Sequence, residues 1–243
     1  MKKLYEKNEL RFAFVWIVIY VVLCSVADSV SVNFGMAKIV TAPVCVLLTL
    51  VIHLWVSKHG LKEKYGLCSF KADAKKFMYF IPLLLLASTN LLWGVQMNMT
   101  LLETVLYVIS MLCVGYLEEM IFRGFLFRAM CKSNVTRAII ISSATFGFGH
   151  VVNLLNGKDI PETLTQMCYA FAAGFLFTVI LYKGRSLWPC ILTHSAINSL
   201  SAFANVDAMT PLKNMLSCIF LCGVSVVYTW YIWKNMSDNS TDE

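Results

Sequence analysis

Charge is what this sequence has least of. Only 14% of its 243 residues are Asp, Glu, Lys or Arg, where an ordinary soluble domain carries roughly a quarter. The polar ends are short, residues 1–11 and about 234–243, and no low-complexity linker or internal repeat divides the chain. A single domain over residues 1–243 is therefore expected. There is no glycine-rich phosphate loop and no Ser/His/Asp arrangement. The nine cysteines form no CxxC pair and scatter through apolar stretches. They read as small buried hydrophobes, which argues against a disulfide scaffold.

What is present is apolar: 58% of residues are hydrophobic and the mean hydropathy is +0.69. In water so much apolar surface would be exposed in patches that aggregate, so the bilayer is the expected solvent. Uncharged stretches run Phe12–Ala27, Ile39–Val56, Phe77–Leu102, Thr104–Leu117, Ala138–Asn156, Thr163–Tyr182, Ser186–Val206 and Asn214–Trp233. A spanning helix needs about 20 mostly apolar residues. The fourth stretch is stopped by Glu118-Glu119 but resumes at Met120-Ile121-Phe122, so one helix to about Phe127 is expected. The fold class is all-α, a polytopic membrane helix bundle of about eight transmembrane helices.

Eight alternations with the amino terminus inside place seventeen Lys and Arg on the cytoplasmic side. Only Lys38, Lys158 and Lys213 fall outside. Cytoplasmic loops hold the excess of basic residues, so both termini are expected to be cytoplasmic. The net charge of +6 then reads as a topology signal, and no nucleic-acid partner is expected. Lys2-Lys3 with Ser25-Val26-Ala27 resembles a cleavable signal, but retaining that segment as the first span preserves the loop parity.

Against this background a few polar residues stand out. A charge at mid-helix costs at least about 2.5–3.5 kcal/mol in lipid, so such residues face the bundle interior. Glu118 and Glu119 precede Arg123, Phe146 precedes His150, and His194 precedes Asn198. Residues four apart meet on one helix face, so Glu119 should pair with Arg123, Phe146 should pack beneath His150, and His194 should stack with Asn198. Glu118 is left to point elsewhere. At 1.5 Å per residue, Glu118 lies roughly 15 Å in from Arg128, His150 roughly 20 Å from Arg137 and His194 roughly 14 Å from Arg185. One polar layer results, expected to be reached from the cytoplasmic side. A lone intramembrane His or Asn is often interhelical glue worth about 0.6 kcal/mol; two glutamates and two histidines at one depth are harder to explain that way. His53 and His59 read as interfacial.

A carboxylate in apolar surroundings suits a general base near neutral pH. Histidine and an asparagine amide can hold the same water or stabilise an oxyanion. Glu118, His150 and His194 are equally a ligand set for a divalent metal such as zinc with an open water position. Both arrangements hydrolyse amides.

Glu-Glu-x-x-x-Arg, Phe-x-x-x-His and His-x-x-x-Asn, in this order within residues 118–198, resemble the CAAX prenyl protease and bacteriocin-processing (CPBP/Abi) family. The resemblance implies an intramembrane endopeptidase acting on a membrane-associated peptide or precursor (a bacteriocin, signal-peptide or CAAX-like substrate) in a bacterial plasma membrane. It assigns Glu118 as the water-activating base with His150 beside it. Glu119 and Arg123 become supports, and His194 and Asn198 oxyanion donors. It leaves open whether the enzyme is a metalloprotease or uses the glutamate alone. Two other classes fit the same residues: a non-catalytic immunity or binding protein, and a small cation transporter using the Glu/His cluster.

The topology is testable directly. A reporter fused after Glu243 is expected in the cytoplasm and one in the Asn156–Glu162 loop outside; an external carboxyl terminus would break the eight-helix arrangement.

Overall fold

Polar residues just outside the apolar runs start the helices. In the computed structural model, which describes residues 1–70, 72–155 and 157–236, the side chain of Asn8 accepts from the Arg11 N–H at 2.8 Å. Asn134 accepts from Arg137 at 2.8 Å and Asp159 from Glu162 at 2.7 Å. Thr100 and Glu103 form a reciprocal capping box. Each cap satisfies an N–H that the helix itself leaves unpaired. Pro161 and Pro211 stand in the first turns of their helices, where the missing proline N–H costs nothing.

The helices that follow are α1 (Lys2–Lys7), α2 (Glu9–Asn33), α3 (Thr41–Lys58), α4 (Ile81–Ala87), α5 (Leu101–Cys131), α6 (Val135–Gly149), α7 (Ile160–Gly184), α8 (Trp188–Leu200) and α9 (Pro211–Asn235). No strand occurs among the described residues, only an isolated antiparallel bridge between Val95 and Ala204. The fold is an all-α polytopic bundle. Its outward side chains are apolar, as Phe14, Leu47, Leu54, Leu84, Val226 and Trp230 show, the pattern of helices solvated by lipid. Lys71 and Asn156, used in the basic count and the fifth stretch, lie outside the described residues.

Among the described residues six helices are long and apolar enough to cross a membrane, against about eight expected. The expected third span, Phe77–Leu102, is broken. Met78, Tyr79 and Phe80 take positive φ, and α4 starts only at Ile81-Pro82. It gives way to a short 3-10 helix, Ser88–Leu91, before Gly94 turns the chain at φ 107°. The expected seventh span, Ser186–Val206, holds the 13-residue α8, begun at Trp188-Pro189, and one 3-10 turn to Phe203. These two interrupted elements pack together. Asn90 Nδ2 donates to the Ile197 carbonyl at 2.6 Å, and the Gln96 N–H to Phe203 at 3.0 Å.

Two glycines set the closest approaches. Gly66, at φ +73°, accepts from the Leu187 N–H at 2.7 Å, and a Cβ there would stand 2.7 Å from Leu181 Cδ1. Gly115 lets α5 and α8 touch: an added Cβ would lie 2.6 Å from Ser195 N and 2.7 Å from its Cα. Backbone cannot yield as a side chain can, so α8 would have to move. Overpacking of this kind costs about 1–3 kcal/mol. Gly115→Ala is expected to lower the Tm of the purified protein in detergent. Gly223→Ala, whose added Cβ meets nothing within 4 Å, is expected to leave it unchanged.

Candidate active site

The two glutamates mark a change in the helix itself. From Leu101 to Glu118 α5 is an ordinary α-helix; from Glu119 to Phe127 it is a π-helix, and all nine π residues are buried. π-Helical turns are rare and occur often at functional sites. A helix buried on every side belongs in the middle of a bundle, so this segment carries its polar residues into the core.

Glu119 and Arg123 are both fully buried and paired, with Arg123 Nη1 3.0 Å from Glu119 Oε1. The same carboxylate oxygen lies 2.8 Å from His194 Nδ1 on α8. The guanidinium sits over the Phe146 ring at 4.0 Å, a cation–π contact strengthened by desolvation. Gly174 on α7 leaves the room it needs, since a Cβ there would stand 3.0 Å from Arg123 Nη2.

Glu118 turns the other way. Its Oε1 accepts from the Tyr20 hydroxyl at 2.7 Å, and its Oε2 lies 3.4 Å from His194 Nε2. One imidazole therefore stands between the two acids. Phe146 packs edge-on against both His150, at 5.3 Å, and His194, at 5.6 Å. Glu118, His150, His194 and Asn198 all line one cavity of about 490 Å³, whereas Glu119 and Arg123 stand behind its wall. That volume is within the usual range of ligand pockets, about 300–1,000 Å³.

Several expectations change. His150 is not mid-helix: α6 ends at Gly149 and His150 is its C-terminal cap, followed by a turn and the single helical turn Val152–Leu155. His194 and Asn198 share a helix face, but both nitrogens of His194 face the glutamates, and no hydrogen bond joins the two residues. His53 is not simply interfacial, since its Nδ1 lies 3.0 Å from the Tyr116 hydroxyl. The polar layer is not reached from the end that carries Arg128, Arg137 and Arg185. There, Tyr65, Phe77, Phe125 and Phe127 are buried to within 2% of completely. The cavity extends the opposite way. Tyr20 was missed; the available signal was a phenol at the centre of an apolar stretch, which when buried usually finds a partner.

Among the described residues no three His, Cys, Asp or Glu side chains gather into a ligand set, and His194 Nδ1 is engaged by Glu119. That contact leaves His194 Nε2 as the ring nitrogen turned toward Glu118, 3.4 Å from its Oε2.

Residues 100–200 match the family model described as Rce1-like, type II CAAX prenyl endopeptidase. This is the family the motifs resemble. The Rce1-like segment contains all six candidate residues, and the match indicates endopeptidase activity of the CAAX type in a multi-pass membrane protein. No curated protein and no solved structure gives a significant match. Tyr20 lies outside the Rce1-like segment yet touches its first glutamate. Hydrogen bonds to charged groups contribute about 1.5–3 kcal/mol. Tyr20→Phe is therefore expected to lower kcat by about tenfold or more while leaving expression and Tm near wild type, measured by peptide cleavage in proteoliposomes.

Proposed function

We propose that the protein hydrolyses a peptide bond of a membrane-associated peptide or precursor, with Glu118 activating the attacking water. One observation carries this reading: of two adjacent buried-helix acids, Glu119 is closed off by Arg123 and His194, while Glu118 faces the cavity. Two identical groups in different surroundings are suited to different tasks.

The steps follow from these positions. Water beside Glu118 and His150 gives its proton to the Glu118 carboxylate as its oxygen attacks the carbonyl carbon. Charge grows on the carbonyl oxygen, and His194 and Asn198, both lining the cavity, stabilise it. Preorganised donors of this kind supply much of the rate enhancement in amide hydrolysis. Glu119 holds the His194 ring through Nδ1, so that Nε2 faces Glu118. Collapse of the intermediate breaks the C–N bond, and Glu118 returns the proton to the leaving nitrogen. Every step is assigned to side chains of the chain itself, and the reading is a glutamate-type peptidase. Bacteriocin, signal-peptide or CAAX-like precursors at a bacterial plasma membrane are the proposed substrates.

Cleavage of a fluorogenic peptide library by protein reconstituted in lipid tests this. Losing a positioned base costs about 10² to 10⁴ in rate, and that loss is expected for Glu118→Gln at unchanged Tm. Arg123→Lys keeps the charge but loses the planar fork and is expected to fall between. Activity is expected to survive exhaustive chelation. If Glu118→Gln cleaves as fast as wild type, the peptidase reading fails and a binding role takes its place.

A further inference from the structure

The cavity at Glu118 has a direction. On α5, Tyr107, Met111, Val114 and Glu118 line it; they recur every three or four residues, so one stripe of the helix forms a wall roughly 16 Å long. Every other element contributes from the same half. α2 gives Tyr20, Cys24 and Asp28, and α3 gives Thr41 and Cys45 from its first turns. α9 likewise contributes its first half, from Asn214 to Leu221, and α7 contributes from Gln166 to Phe177, a little past its middle. Lys38 and Lys158, in the connections at that end, complete the mouth. No lining residue comes from the end where Lys62, Arg128, Arg137 or Arg185 lies. Beside the main space a narrower cleft of about 140 Å³ runs sideways between α2 and the Gly149–Asn153 turn, again from Glu118 toward Asp28.

The two ends of the bundle differ sharply in charge. Of the nineteen described Lys and Arg, Arg123 is buried beside Glu119, fifteen lie toward the closed end, and Lys38, Lys158 and Lys213 lie at the open end. Basic residues mark the cytoplasmic face. The charges at the mouth are satisfied internally: Lys38 pairs with Asp28 at 2.7 Å and Lys158 with Glu162 at 2.6 Å.

We infer that the active-site cavity opens on the non-cytoplasmic face, and that its substrate is an extended peptide segment presented from outside or from the outer half of the bilayer. This rests on the proposed function for the nature of the substrate, but the direction of opening does not. The test uses thiol labelling of the full-length protein in intact cells, read by peptide mass mapping. Asn153→Cys lines the cavity, and the native Cys131 closes α5 at the opposite end. A membrane-impermeant methanethiosulfonate is expected to add its mass to position 153 and to native Cys24 in intact cells, and to reach Cys131 only after permeabilisation. Modification of position 153 only after permeabilisation overturns the inference, as does no modification at 153 under either condition. Labelling reports direction whether or not any bond is cut, so a failed peptidase reading would leave this result standing.

Discussion

A carboxylate and a guanidinium, both without solvent contact, hold the centre of this bundle: Glu119 and Arg123, 3.0 Å apart. Removing one member of a buried ion pair costs about 3–5 kcal/mol, because the other charge is left uncompensated. Such a pair is a weak source of net stability but a strong constraint on position. α5 must bring both residues inward, α7 must present Gly174 and Phe177 around the guanidinium, and α6 must lay Phe146 across it. α8 must then deliver His194 to the same carboxylate oxygen. The positions of four helices follow from one pair of charges.

The constraint also divides the two glutamates. The side chain held by Arg123 and His194 through one carboxylate oxygen is immobilised, and its neighbour one residue earlier is directed to the other side of the helix. There Tyr20 and His194 meet it at the cavity wall. The close approach of α5 and α8 at Gly115 and Ser195 serves the same end, since Ser195 follows His194 directly and its hydroxyl donates to the Leu112 carbonyl at 3.0 Å. Packing, charge and site geometry are thus set by the same few contacts.

Much of this was legible in the sequence. Helical spacing alone anticipated the Glu119–Arg123 pair and the packing of Phe146 against His150, which is edge-on. Apolar length gave the long spans. The parts that escaped have physical reasons. Averaging hydropathy over Phe77–Leu102 hides Pro82 and Gly94, which interrupt it as local backbone features. A π-turn uses the same apolar residues as an α-turn and differs only in which carbonyl each N–H reaches, so Glu119–Phe127 gave no warning. Tyr20 meets Glu118 across 98 positions of chain, beyond any local pattern. The direction of the cavity depends on packing density at the two ends, and both ends are comparably apolar in sequence.

The dense half of the bundle has an electrical consequence. A hydrolase within a bilayer needs water beside its base, and a water column crossing the whole membrane would let protons leak and discharge the potential. Here the stripe of α5 that lines the cavity ends at Glu118. Beyond it, Met120, Ile121, Phe125 and Phe127 are all at most 2% exposed, a plug of hydrocarbon and aromatic rings that water-borne ions do not cross. The membrane stays insulated across the thickness of that plug, and for the proposed hydrolysis water is supplied from one side only.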